Sequence, residues 1–167
     1  MTGQAEPTAV FARIVVISDR VAAGEYEDGS GLALASAVRE CGHSVDAIEV
    51  VADEIAAIVD RLTAAANDGV ALVLTTGGTG FARRDITPEA TERVIDRAAP
   101  GIAEAIRRAS DGEDRGFGMR SRGVAGLIGN TIVVNLPGST PGALEGWAVI
   151  RDHIPHLVDL VSGGDPH

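Results

Sequence analysis

Two rhythms of apolar and polar positions run along this chain: short unbroken apolar runs, and longer stretches with apolar residues three and four apart. Arg13-Ile14-Val15-Val16-Ile17 is an apolar run rich in β-branched residues, and it predicts a parallel strand buried on both faces. It ends in Ser18-Asp19-Arg20 and a polar, glycine-bearing loop from Gly24 to Gly31. Ser30 or Asp28 can cap the helix that follows. Leu32, Leu34, Ala35 and Val38 supply its apolar face, and Cys41-Gly42 its stop. A second strand is predicted over Ser44 to Val51. Asp53 stands before a helix marked by Ile55, Ile58, Val59 and Leu62 and closed by Asn67-Asp68-Gly69. Val70 to Thr76 reads as a third strand.

Beyond the glycine-rich segment that follows, Thr87 is the expected N-cap of a helix with Pro88 at its first position, running to about Ala98. Pro100-Gly101 breaks it, and another helix is predicted from Ile102 to about Ser110. Asp111 to Gly118 is polar and glycine-rich, and reads as an exposed, mobile loop. The stretch from Arg120 to Gly126, with Gly129-Asn130, predicts a hairpin or short irregular strands. Thr131 to Asn135 is a further buried strand, and Leu136-Pro137-Gly138-Ser139 turns into a single last helix from Pro141 to about Val161. Strand and helix alternate with short connections. They predict one α/β domain over residues 13–161, a three-layer α/β/α arrangement around a mostly parallel sheet with right-handed crossovers. Residues 1–12 and 162–167 are expected to be flexible tails.

Composition narrows the function classes. The 167 residues are 45% hydrophobic and 23% charged, as in a globular domain, and only 3% aromatic, so the core must rest on Val, Ile, Leu and Ala. A net charge of −10 argues against nucleic acid or an anionic membrane as a partner. It does not argue against a small anion held by backbone N–H groups and a few arginines. No stretch approaches the about 18 apolar residues that span a bilayer, and MTGQAEPTAV lacks the pattern of a secretion signal. The one cysteine, Cys41, reads as a small buried hydrophobe, and the expected compartment is a reducing cytoplasm.

Candidate chemistry gathers at the predicted strand ends, where open α/β sheets bind ligands. Thr75-Thr76-Gly77-Gly78-Thr79-Gly80 follows a buried strand and leads to a helix start, an order that presents N–H groups to an anion. It is neither a Walker loop nor a dinucleotide fingerprint, and a tight turn needing glycine dihedrals is the plain alternative. Asp85 is either a capping or solvated acid or a ligand to Mg²⁺; Asp53 divides the same way. Two carboxylates beside a phosphate loop make best sense with a cation between them. Ser139 is either a helix cap or an anion contact, and Arg122 either a surface arginine or a contact to an anionic substrate. His153 and His156 lack an evident third ligand and read as surface or interface residues, and Trp147 as a packing residue.

Taken together, these residues resemble the MogA/MoaB family of molybdenum cofactor biosynthesis, which includes the G domains of Cnx-type proteins and gephyrin. The likeness covers about Arg13 to Leu160. It is carried by Ser18-Asp19-Arg20 with Gly24-Glu25-Tyr26-Glu27-Asp28 and Ser30-Gly31, by Thr75 to Phe81, by Arg84-Asp85 with Thr87-Pro88-Glu89-Ala90, by Ser121-Arg122 with Ala125-Gly126, and by Asn135 to Ser139. The first loop is more like MogA than MoaB. The chain departs from the family pattern at Arg83 and at Thr140-Pro141.

The resemblance implies a molybdopterin adenylyltransferase that joins AMP from ATP to the molybdopterin phosphate with Mg²⁺ and releases pyrophosphate. It implies Asp53 and Asp85 as the catalytic carboxylates, with Asp85, and Asp53 as a second candidate, on Mg²⁺. Ser18, Asp19, Thr76, Gly77, Gly78, Thr79, Gly80, Ser121, Arg122, Pro137, Gly138 and Ser139 would hold ATP and molybdopterin. It further implies a homotrimer or hexamer, and a MoeA-like molybdate insertase and molybdopterin synthase as partners. A non-catalytic molybdopterin carrier, and a CinA-like nucleotide pyrophosphatase, are the alternative readings.

Overall fold

A computed structural model describes residues 9–112 and 116–164. The elements are β1 (Phe11–Ile17), α1 (Asp19–Ala22), α2 (Ser30–Glu40), β2 (Ser44–Val51), α3 (Ile55–Asn67), β3 (Leu72–Thr76), α4 (Thr87–Glu92), β4 (Arg97–Ala98), α5 (Pro100–Ser110), a 3-10 turn (Gly118–Arg120), β5 (Ala125–Ile128), β6 (Thr131–Leu136), α6 (Thr140–Ile150) and α7 (Ile154–Val161). The strands form one sheet in the order β2-β1-β3-β6-β5-β4. The four strands β2, β1, β3 and β6 are parallel, and β5 and β4 add an antiparallel edge.

Side chains alternate across a strand, so each central strand feeds two cores. Ala12, Ile14 and Val16 of β1 join Leu34, Ala35 and Val38 of α2, Trp147 and Ile150 of α6, and Ile154 of α7. Val15 and Ile17 join Ile58, Leu62 and Ala65 of α3 and Ala90 of α4 on the other face. This is the expected three-layer α/β/α arrangement. The unbroken apolar runs of β1, β3 and β6 follow from it, since every residue of β3 and β6 is buried.

Several boundaries differ from the sequence expectation, each for a local reason. The domain begins before residue 13: Val10 is buried and β1 starts at Phe11, while residues 1–8 lie outside the described residues. Of the expected C-terminal tail, Ser162 to Gly164 close α7, with the Gly164 N–H bonded to the Asp159 carbonyl, and 165–167 lie outside the described residues. The helix expected to reach Ala98 ends at Glu92, because the backbone beyond is taken by β5: Asp96 N–H donates to the Leu127 carbonyl at 2.7 Å and Ala99 N–H to that of Ala125 at 2.8 Å. Thr87 does not cap that helix with its side chain; its hydroxyl donates to the Gly77 carbonyl instead.

The single last helix is two, α6 and α7, parted at Arg151–His153, because Pro155 has no N–H and its ring would crowd the carbonyl four residues back. The next helix back, α5, starts at Pro100 rather than after it. Leu32 is 63% exposed rather than part of the α2 face, and Cys41 is exposed rather than buried. Of the expected exposed, mobile loop, 113–115 lie outside the described residues. Its end is held, with Gly118 buried and its N–H donating to Asp111 Oδ1 at 2.8 Å.

Candidate active site

The parallel strands deliver their carboxyl ends to one edge, where β1, β3 and β6 each turn into a loop. Beyond β1, Ser18 Oγ accepts from Val21 N–H and caps α1. Asp19 and Asp53 then clasp each other across the ends of β1 and β2. Asp19 N–H donates to Asp53 Oδ2 at 2.8 Å, and Asp53 N–H donates to Asp19 Oδ1 at 3.0 Å. Asp53 therefore does not cap α3, whose N-cap position is Glu54 and carries no side-chain cap.

Burial pushes the Asp53 carboxyl above the usual range; the Asp19 N–H opposes this, and the charges of Asp19 and Asp85 add to it. Asp19 is held below its usual range, first by the Arg84 guanidinium and then by the Asp53 N–H.

Beyond β3, the glycine loop crosses the end of β1. A Cβ on Gly77 (φ 106°) would stand 2.2 Å from the Ile17 carbonyl oxygen, and one on Gly78 (φ 64°) would stand 2.3 Å from Thr87 Oγ1 and 3.1 Å from Asp53 Oδ1. Only glycine fits both the space and the dihedrals. Gly77 N–H donates to the Leu136 carbonyl, and the buried Thr76 hydroxyl to that of Pro137 at 2.8 Å, which ties the β3 and β6 loops together. Among the described residues, the N–H groups of Gly78, Thr79, Gly80, Gly138 and Ser139 donate to no protein group. N–H groups left free at a strand end are of the kind that can receive an anion. Ser139 Oγ accepts from Gly142 N–H at 3.2 Å, so it caps α6 and still has its O–H to give.

Asp85 Oδ2 accepts from Ala82 N–H at 2.8 Å, which folds the turn after the glycine loop back on itself. Arg122 braces the same turn. Its N–H donates to the Thr79 carbonyl at 2.8 Å, its Nε to that of Gly80 at 2.7 Å, its Nη2 to that of Asp85, and its Nη1 to Glu89. The hydrogen bond from Arg122 holds Glu89 below the usual carboxylate range, against the opposing effect of burial. All of these Arg122 side-chain bonds are to groups of the protein itself.

Two clefts adjoin at this edge. One, of about 540 Å³, is lined by Ser18, Asp53, Thr76, Gly77, Gly78, Asp85, Gly138 and Ser139, with Tyr26, Glu27 and Asp28 from the loop before α2. The other, of about 740 Å³, is lined by Thr79, Ser121, Pro137 and Ser139, with Arg107, Phe117 and Arg120. Ser139 and Pro141 belong to both walls, and the adjacent Gly78 and Thr79 face one cleft each.

Asp19, Gly80 and Arg122 line neither cleft and act on the loops behind them. Arg107 and Arg120 were not legible as site residues, since they meet only when α5 packs on the 3-10 turn. Tyr26, in the loop between α1 and α2 that carries part of the family likeness, also lines the first cleft.

Asp53 and Asp85 fit a small hard cation. Each lines the first cleft and keeps one carboxylate oxygen free of protein partners among the described residues. No group of three or more His, Cys, Asp or Glu side chains that could hold a metal occurs among the described residues. Mg²⁺ suits such a sparse set, because it keeps waters and takes phosphate oxygens as its other ligands.

Comparison with known proteins gives the family. The family model of a probable molybdopterin binding domain matches residues 13–156. The chain is 36% identical over 93% of its length to the molybdenum cofactor biosynthesis bifunctional protein of Synechococcus elongatus, and spans about half of that relative, 49% of its length. It is 37% identical to the molybdopterin adenylyltransferase of Helicobacter pylori, covering 90% of this chain and 86% of that one. The crystal structure of the molybdopterin biosynthesis enzyme MoaB from Thermus thermophilus superposes with a TM-score of 0.87 at 39% identity, covering 92% of this chain and 97% of that one. With its fold, its glycine loop and its two aspartates in this arrangement, the chain belongs to the MoaB/MogA family of molybdenum cofactor biosynthesis.

Proposed function

We propose that the protein is a molybdopterin adenylyltransferase acting in the cytoplasm. The observation that carries this reading is the pair of clefts meeting at Ser139 and at the Gly78–Thr79 step. A carrier needs one ligand site; a group transfer between two phosphorylated molecules needs two that touch. The cleft with Asp53 and Asp85 suits MgATP, and the cleft with Arg107, Arg120 and Phe117 suits a pterin bearing a phosphate.

In the reaction, a terminal phosphate oxygen of molybdopterin attacks the α-phosphorus of ATP. The new P–O bond forms as the bridging α–β P–O bond breaks, and pyrophosphate leaves with the electron pair. The nucleophile is already an anion, so no strong base is required, and catalysis rests on alignment and charge neutralisation. The free N–H groups of Gly78 and Gly138 hold phosphate oxygens on the nucleotide side; those of Thr79 and Ser139 hold the pterin phosphate. Asp53 and Asp85 would hold Mg²⁺, whose charge offsets that of the triphosphate. The assembly would be a trimer or hexamer that passes its product to a MoeA-like insertase and receives molybdopterin from its synthase.

The deciding measurement is pyrophosphate release from MgATP with and without molybdopterin. The expected result is release that depends on molybdopterin, with an adenylylated product by mass. Tight pterin binding without release would instead identify a carrier, and release without molybdopterin a pyrophosphatase. Asp85→Ala is expected to lower AMP transfer by about a hundredfold or more while molybdopterin binding is retained; unchanged transfer would sink its assigned role.

A further inference from the structure

Arg84 leaves the glycine loop beside Asp85 and reaches across to the end of β1. Its Nε donates to Asp19 Oδ2 and its Nη2 to Asp19 Oδ1, both at 2.8 Å. These two bonds take both oxygens of Asp19, as a planar guanidinium can and an ammonium cannot. Asp19 in turn is joined to Asp53 by the reciprocal bonds of 2.8 and 3.0 Å. One side chain thus links three segments that lie far apart in sequence, those after β3, β1 and β2.

The contact is poorly suited to stabilise the fold. The Arg84 and Asp19 side chains are 59% and 39% exposed, and exposed pairs of that kind contribute little to stability. Its consequence is geometric. The Asp19 carboxylate that Arg84 grips accepts from the Asp53 N–H and so fixes the Asp53 backbone, while Asp53 Oδ2 rests on the Asp19 N–H and Oδ1 is left over Gly78, 3.1 Å from where a Cβ there would stand.

Building on the transferase reading, we infer that Arg84 is a positioning residue: through Asp19 it sets the Asp53 carboxylate at the floor of the nucleotide cleft. It touches neither cleft wall itself.

The test compares the full chain with Arg84→Ala and Arg84→Lys. Amide hydrogen exchange at Asp19 and Asp53 is followed by NMR on the free protein, and kcat and KM for MgATP by molybdopterin-dependent pyrophosphate release. With Arg84→Ala, exchange at both amides should rise about tenfold or more. For the same variant kcat should fall about 10- to 100-fold, with KM for MgATP within about twofold and the unfolding midpoint unchanged. Arg84→Lys, which keeps the charge without the fork, should fall between.

Unchanged exchange at Asp19 and Asp53, or an unchanged kcat, overturns the inference. A raised KM with kcat intact overturns it too, because Arg84 would then bind the nucleotide directly. If the wild-type chain releases no pyrophosphate, the transferase reading fails, and the exchange measurement alone decides the tie.

Discussion

At the scale of single residues, the two glycines that turn over the end of β1 are constrained both by their dihedrals and by the space around them. Gly78 must hold φ at 64° and leave room for Thr87 Oγ1 and Asp53 Oδ1. Alanine there meets both obstacles: the left-handed region costs an L-residue about 1–2 kcal/mol, and the Cβ displaces Thr87, whose hydroxyl ties the loop to α4. Gly78→Ala should lower unfolding stability in urea by more than about 1 kcal/mol and reduce AMP transfer more than about tenfold. Full activity with normal stability would mean that the loop can relax without consequence for the site.

Arg122 makes the converse case. Its side chain holds the carbonyls of Gly80 and Asp85. Arg122→Ala should therefore lower kcat more than molybdopterin affinity; a loss confined to affinity would restore it as a substrate contact. The glycine loop and both aspartates were legible in the sequence, because turn chemistry and strand ends are local signals. The partners of Asp19 were not, since Arg84 stands 65 positions away along the chain.

At the scale of elements, legibility followed burial. Runs such as Leu72–Thr76 and Thr131–Leu136 are buried on both faces because helices cover both, and their Val, Ile and Leu make this readable without knowing the neighbours. The short edge strand Arg97–Ala98 carries no such mark. Both its residues are exposed, and only pairing with β5 makes it a strand, so a helix pattern ran through it unopposed. The break between α6 and α7 was marked by Pro155, but the apolar spacing on either side hid it.

The helices that cover the sheet should be the elements on which stability rests. Leu62 of α3 is fully buried, against the face of the sheet opposite Trp147. Leu62→Ala should cost about 2–5 kcal/mol, read as a lower urea midpoint with unchanged slope. A cost under about 1 kcal/mol would mean that α3 collapses into the gap and that this layer is less tightly packed than its burial implies.

At the scale of the whole molecule, His43 joins the start of the sheet to the helical layer. Its Nδ1 accepts from Val10 N–H at 3.3 Å just ahead of β1, and its ring meets Trp147 of α6 edge-on with centroids 6.1 Å apart. An accepting Nδ1 must be unprotonated, and burial lowers the imidazole pKa below its ordinary 6.5. The folded state thus binds this proton less readily than the unfolded state. Stability from this site is complete above pH 6.5, and is lost as pH falls from there toward the folded value.

The slope can be no steeper than about 1.4 kcal/mol per pH unit, the limit for one proton. Asp53 acts in the opposite sense, since its raised pKa makes the folded chain take up its proton first as pH falls. The net curve alone is therefore ambiguous, and the comparison must be made between the wild type and His43→Gln. Urea unfolding measured from pH 7.5 downward should show the wild type losing stability relative to its own value at neutral pH faster than the variant does. Parallel curves would place His43 in water in the folded chain and break the link between the sheet's first strand and α6.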